Sequence, residues 1–174
     1  AMPFARFAPS DIALQAKPHA CCIVPERREE RTTESGLDAV GLGARLADIV
    51  RPLKDAGIRV SLFLDADPAQ LDAAAAAASD AVELHTGTYA ESADASRAAE
   101  LERLRSGARR LGELGIECHA GHGLAYDNVG PIAAIPEVVE LNIGHFIIGE
   151  AVFTGFVPAV RRMREVMDAA RPGA

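Results

Sequence analysis

The sequence predicts an α/β protein built on a parallel sheet. Short apolar runs typical of buried strands alternate with longer segments that have a helical period, and this alternation indicates strand–helix–strand units with right-handed crossovers. Two of the strand-like runs also end in a glycine–histidine pair. The predicted strands are residues 20–24, 59–64, 81–85, 116–120 and 139–144.

The segments between these strands predict helices, each on its own signal. Residues 37–56 repeat Leu, Ile and Val at helical spacing, and residues 68–78 follow an Asp67-Pro68 start that suits an N-cap and a first helical position. Residues 92–114 are long and charged, with Leu101 and Leu104 facing inward, and residues 158–170 close the chain. Gly57, Gly115 and Gly130 are expected at helix ends or turns.

Two architectures fit this alternation, an open doubly wound sheet and a (β/α)8 barrel. A complete barrel takes about 250 residues, whereas this chain has 174. Chain length therefore favours the open sheet. A Gly-x-Gly-x-x-Gly segment does not follow the first predicted strand, so a dinucleotide-binding fold is not supported.

Composition narrows the class of protein. Apolar residues make up 49% of the chain and the formal net charge is -7, which indicate a globular protein without a broad nucleic-acid surface. No apolar run approaches the roughly 18–20 residues of a membrane span, and no signal peptide is expected. The three cysteines, Cys21, Cys22 and Cys118, have no metal-binding spacing. A reducing cytoplasm is the expected location.

Glycine and histidine at the strand ends suggest a catalytic site. His122 lies between Gly121 and Gly123, and Gly144-His145 follows the last strand. Because the carboxyl ends of parallel strands open into one site, we expect an acid–base imidazole beside a backbone cradle for phosphate. The alternative is that each histidine is structural and each glycine serves a tight turn.

Glu83 and His85 fall on one face of their strand because strand side chains alternate. They either pair with each other or line a solvated site. With His119 and His122 they could also form a zinc site, although no short metal-binding motif is present.

Polar residues that follow two other strands also have both a structural and a functional interpretation. Thr32 lies in a Thr-Thr-Glu-Ser-Gly segment that could cap the following helix or donate hydroxyl groups to a phosphate or sugar. Asp67 is best explained as a helix cap. Asp65 could be either a buried hydrogen-bonding residue or part of the site.

These residues together resemble the pyridoxine 5′-phosphate synthase family, the barrel enzymes that close the pyridine ring of vitamin B6. The resemblance covers about residues 17–170 and implies a single-domain (β/α)8 barrel. Residues 1–174 would be its last five βα units, with the first three strands absent. The matching segments, in the family's order, are KPHACCIVPERREERTTESGLD, DAGIRVSLFLDAD, VELHTGTYA, HAGHGLAYDNV and IPEVVELNIGHFIIGEAVFTG.

The resemblance implies an activity and a role for each matching residue. The family condenses 1-deoxy-D-xylulose 5-phosphate with 3-amino-2-oxopropyl phosphate, without a metal or organic cofactor, and its members are homo-oligomers, typically octamers. His122 matches the proton donor and Glu83 the carboxylate that stabilises the transition state. Thr32 matches a contact to deoxyxylulose phosphate, and Gly123, Gly144 and His145 match contacts to the aminoketone phosphate.

The chain also departs from the family pattern. His119 stands where asparagine is expected, and residues 1–16 match the family's third strand poorly. The family's first three strands supply two proton acceptors and phosphate-binding arginines. Two other functions therefore remain as alternatives. One is a metal-dependent phosphosugar aldolase or epimerase that uses His85, His119 and His122, and the other is a non-catalytic phosphate-binding domain.

Overall fold

A five-stranded parallel sheet forms the centre of the fold. The computed structural model describes residues 9–25 and 35–172. Its strands are β1 Ala20–Ile23, β2 Arg59–Leu64, β3 Ala81–His85, β4 Glu117–Gly121 and β5 Val138–Asn142. Each agrees with a predicted strand, with ends that differ by at most two residues.

The helices lie between and after the strands. No helix in residues 9–25 and 35–172 is long and apolar enough to cross a membrane. The helices are α1 Pro9–Ala16, α2 Ala39–Leu42, α3 Ala44–Asp55, α4 Pro68–Ala76, α5 Gly87–Glu91, α6 Asp94–Leu114, α7 Val129–Ala133, α8 His145–Thr154 and α9 Phe156–Ala170.

The strand order decides between the two predicted architectures. The strands lie in the order β1-β2-β3-β4-β5, and every neighbouring pair is parallel. A doubly wound sheet reverses its strand order at a switch point, so the open doubly wound prediction is wrong. An order that follows the chain is typical of the strands of a TIM-type fold.

The two faces of the sheet have different chemistry because side chains alternate along each strand. Val60, Leu62 and Leu64 of β2 and Val82 and Leu84 of β3 belong to one buried core that also contains helix residues. The helix residues in this core include Leu46, Val50, Leu71, Leu104 and Leu111. The polar residues of the same strands lie on the opposite face.

Local signals account for two helix starts. Asp67 caps α4 as predicted, and its carboxylate accepts hydrogen bonds from the backbone N–H groups of Ala69 and Gln70. The predicted helix 37–56 is instead divided into α2 and α3 at Gly43, where φ is +51°. The cap of α2 is Asp38, which accepts from the backbone N–H of Gly41, and not Ser35 or Gly36. The rest of the segment suggested as a cap, residues 32–34, lies outside the described residues.

Several helix predictions need correction. The predicted helix 92–114 begins at Asp94, and α5 precedes it. Gly115 ends α6 in the left-handed conformation as expected, but Gly130 lies within α7 and is not a turn residue. Neither α7 nor α8 was predicted. Because α8 is apolar along nearly its whole length, its sequence has no contrast between an apolar and a polar face.

Gly107 allows α6 to approach the loop after β2. A Cβ atom at this position would lie 2.8 Å from the Cβ of Ala66, whereas one at Gly112 would lie 3.6 Å from the nearest atom, Cγ of Glu137. The two glycines are on the same helix but differ in the space around them. Alanine substitutions at the two positions therefore separate the effect of packing on stability from that of helix propensity.

We predict opposite effects on stability for alanine at these two positions. Gly107→Ala should lower the free energy of unfolding by up to about 2 kcal/mol, because overpacking exceeds the gain in helix propensity. Gly112→Ala should raise it by about 0.5–1 kcal/mol through helix propensity alone. Urea unfolding of both variants tests this, and a stabilising Gly107→Ala would contradict the close packing.

Candidate active site

A cleft at the carboxyl ends of the strands brings together most of the predicted site residues. Its volume is about 570 Å³. It is lined by residues of β1, β2, β3 and β5, by the segment that follows β4, and by the end of α5 and the start of α8. Five of the six predicted site residues are among them: Glu83, His122, Gly123, Gly144 and His145. Thr32, the sixth, lies outside the described residues.

His122 follows β4 directly and has an unusual backbone conformation. Its φ is +82°, in the left-handed region that non-glycine residues rarely occupy. Thr86, which is fully buried, supports this turn. Its hydroxyl lies 2.7 Å from the carbonyl oxygen of Gly121 and 2.5 Å from that of His122, and it can donate to either.

Burial lowers the pKa of the His122 imidazole, and the nearby His85 and His145 lower it further, whereas Glu91 raises it. The neutral form is therefore favoured more than in a free imidazole. A neutral imidazole can accept a proton, and a bound anion shifts the balance towards the protonated form, which can donate one.

Glu83 points into the same cleft from β3. One carboxylate oxygen accepts a 3.0 Å hydrogen bond from the side-chain amide of Asn142. Burial raises the pKa of the Glu83 carboxyl, while the charge of His119 and the Asn142 hydrogen bond act in the opposite direction. A Cβ atom at Gly121 would collide with the Oε1 atom of Glu83, so this carboxylate needs glycine on the neighbouring strand.

The start of α8 provides backbone donors beside these side chains. Gly144 is the N-cap residue, His145 is the first helical residue, and no side chain caps the helix. The first N–H groups of a helix have no partner within the helix and attract anions. Both residues follow β5 rather than end it, and the phosphate cradle expected from the sequence stays a prediction.

His85 pairs with Asp65 and not with Glu83. Its Nδ1 atom lies 3.1 Å from Oδ1 of Asp65. Asp65 also accepts a 3.2 Å hydrogen bond from the backbone N–H of Gly36. The His85 hydrogen bond is the main cause of a lowered pKa for the Asp65 carboxyl. Of the two expectations for Glu83 and His85, mutual pairing is therefore wrong.

The predicted zinc ligands are not arranged around a common point. The ring of His119 contacts two other carboxylates, with Nε2 2.8 Å from Oε1 of Glu117 and Nδ1 3.4 Å from Oε1 of Glu140. Within residues 9–25 and 35–172, no group of three or more His, Cys, Asp or Glu side chains could hold a metal ion. The zinc alternative built on His85, His119, His122 and Glu83 is therefore wrong for these residues.

Comparison with known proteins identifies the family. A sequence model for the family described as "Pyridoxal phosphate biosynthesis protein PdxJ" matches residues 6–169. This chain belongs to that family.

Curated relatives in the PdxJ family carry the name pyridoxine 5′-phosphate synthase. The protein from Jannaschia sp. (strain CCS1) is 59% identical over 165 residues, which are 92% of this chain and 66% of that protein. The protein from Rhodospirillum rubrum is 57% identical over 163 residues, 93% of this chain and 66% of the relative. The protein from Caulobacter sp. (strain K31) is 58% identical over 164 residues, which are 92% of this chain and 65% of that protein. The chain thus spans slightly less than two thirds of the length of these relatives.

Sequence reasoning missed several residues that shape the cleft of this PdxJ-family chain. Phe63 and Asn142 line the cleft, and Thr86 and Gly87 support it from behind. Phe63 and Asn142 each lie at the carboxyl end of a strand on its polar face, so strand alternation could have identified them. Thr86 gave no such signal, because its role depends on a carbonyl 36 residues away in sequence.

The support of His122 by Thr86 predicts a specific loss of stability. Thr86→Val keeps the shape of the side chain but removes the hydroxyl, and leaves a buried carbonyl with one partner fewer. We expect the free energy of unfolding to fall by about 1–3 kcal/mol. Thr86→Ser, which retains the hydroxyl, is the control and should lose less. Chemical denaturation measures both, and equal losses would contradict the role of this hydrogen bond.

Proposed function

We propose that this chain carries catalytic residues of a pyridoxine 5′-phosphate synthase. In this reaction 1-deoxy-D-xylulose 5-phosphate condenses with 3-amino-2-oxopropyl phosphate, and phosphate and water are released. One observation carries the proposal: Glu83, His122, Gly123, Gly144 and His145 line a single cleft. The names of the relatives support the same reaction.

The aminoketone phosphate binds at the start of α8 in this proposal. The N–H groups of the first helical turn, next to Gly144 and His145, donate hydrogen bonds to the phosphate oxygens. Gly123 contributes to the same region. Its φ is +73°, and a Cβ atom there would lie 2.7 Å from the Cβ of Ala90, so the backbone runs close to α5.

His122 acts as the proton donor. Each dehydration requires a proton on a departing hydroxyl, which a protonated imidazole can supply. Burial lowers the pKa of this imidazole, whereas a bound phosphate dianion favours its protonated form. Substrate binding therefore prepares His122 to donate a proton.

Glu83 stabilises positive charge that develops during the condensation. The amine of one substrate attacks the ketone of the other, and loss of water gives an imine that can carry a proton. A carboxylate held by Asn142 at 3.0 Å is preorganised for that charge. Because burial disfavours the charged form of Glu83, an adjacent cation is a particularly favourable partner.

Thr32 contacts the deoxyxylulose phosphate in this proposal.

The fold is proposed to be part of a (β/α)8 barrel. Within the described residues, the outer edges of β1 and β5 have no neighbouring strand. Unpaired edges of a parallel sheet favour pairing with further strands. A barrel would satisfy both edges and keep residues 1–174 in one domain as five consecutive βα units.

We also propose that the enzyme assembles as a homo-oligomer, as the family resemblance implies, and that it works in the cytoplasm. The three cysteines are free, which suits a reducing compartment. Its binding partners are phosphorylated small molecules. No cofactor is proposed, and we expect neither a nucleic-acid nor a membrane partner.

Replacement of His122 tests the proposed reaction. We expect the wild-type chain to form pyridoxine 5′-phosphate from the two substrates, detected by absorbance and mass. We expect His122→Ala to lose about 10²–10⁴-fold in kcat, the usual contribution of a general acid. His19→Gln, a change at an exposed histidine outside the cleft, is the control. Binding of product without any turnover would contradict the proposal and favour a phosphate-binding domain.

The pH dependence tests Glu83. Its pKa is raised by burial, so as pH falls the carboxylate is neutralised earlier than an ordinary glutamate, and activity should decline on that acid limb. Glu83→Gln should reduce kcat by about 10²–10³-fold and remove this limb from the pH profile. An unchanged acid limb in Glu83→Gln would assign the titration to another group.

A further inference from the structure

A second histidine lies directly behind His122 and has no role in the proposed reaction. His85, at the end of β3, is only 3% exposed. Its Nε2 atom is buried and has no hydrogen-bond partner among the described residues. A buried polar atom without a partner is rare in proteins and calls for a reason beyond simple packing.

Asp65 fixes which nitrogen of His85 carries the proton. The carboxyl of Asp65 accepts from the backbone of Gly36 and lies 3.1 Å from Nδ1 of His85. An ionised carboxylate can only accept hydrogen bonds, so Nδ1 must be the donor. In the neutral ring, Nε2 then carries the lone pair on the side away from Asp65.

The ring of His85 is packed closely against that of His122. The two ring centroids are 5.0 Å apart, and Phe63 lies 5.2 Å from His85 and 6.5 Å from His122. Gly87 lies beside both rings. A Cβ atom there would be 2.5 Å from Nε2 of His85 and 2.9 Å from Cδ2 of His122. The contacts leave little room for His122 to turn back towards the sheet.

We propose that the buried Asp65–His85 pair is the positioning element of His122: Asp65 fixes the orientation and tautomer of His85, and His85 holds the His122 ring towards the cleft. This inference rests on the proposed role of His122 as proton donor. His85 is buried behind His122 and does not line the cleft, so it acts through His122 and not by contact with substrate.

Other charged groups also face His122. Glu91 on α5 and His145 at the start of α8 contribute to its titration together with His85, and Glu83 lines the same cleft. Loss of His85 removes one of the groups that disfavour the protonated form of His122, while Glu91 and His145 remain. The titration of His122 should then move to higher pH.

Imidazole nitrogen NMR tests the positioning without any need for turnover. In the wild-type chain, His85 should show the tautomer with the proton on Nδ1. In Asp65→Asn it should change to the Nε2–H tautomer, because the amide can donate to Nδ1. In His85→Asn the titration of His122 should move to higher pH. A wild-type His85 protonated on Nε2 alone would overturn the proposal even if every variant failed to fold.

Kinetics provide the second measurement, with a control two residues away. Asp65→Asn should lower kcat by about 10–10²-fold, within the range attributed to orientation of a catalytic group, and leave KM within about twofold. Asp67→Asn is the matched control, since asparagine caps a helix as well as aspartate. Equal kcat values for the two variants would overturn the proposal. Absence of product from the wild-type chain would instead count against the proposed function, and the NMR result would still decide the positioning.

Discussion

Thr86 joins the carboxyl ends of β3 and β4, and the geometry of the cleft depends on that junction. Its backbone N–H donates to the carbonyl of Gly121, which continues the pairing of β3 with β4, and its hydroxyl reaches the carbonyls of Gly121 and His122. The register places His85 opposite Gly121. The left-handed turn at His122 is stable in this position because its part-buried carbonyl retains a partner.

Burial has opposite effects on the pKa values of the two main titratable groups of the cleft. It raises the pKa of Glu83 and lowers that of His122, so both groups shift towards their neutral forms. A reaction between a phosphorylated ketone and an amine brings negative and positive charge into this environment. Each substrate charge then favours the ionised form of the group that faces it. The protonation of both groups is therefore sensitive to the charge of the molecules that bind in the cleft.

The sequence allowed good prediction of features that depend on local chemistry. Short apolar runs located β1–β5, strand alternation separated Val82 and Leu84 from Glu83, and the Asp67-Pro68 pair marked the start of α4. Strand order could not be predicted from local sequence, because it depends on pairing between distant segments. Chain length favoured the open doubly wound sheet, and this prediction of the strand order was wrong. His119 shows the same limit, since one of its partners, Glu140, belongs to the next strand.

The candidate site could be predicted because glycine and histidine occur together at strand ends, but the physical reason for those glycines is partly steric. Gly121 leaves space for the carboxylate of Glu83, and Gly87 leaves space for the rings of His85 and His122. In each case a single methyl group would displace a side chain that the proposed chemistry requires. The contacts make Gly121 a requirement for close packing, and this requirement links the pairing of the strands directly to the positions of the acid and the carboxylate.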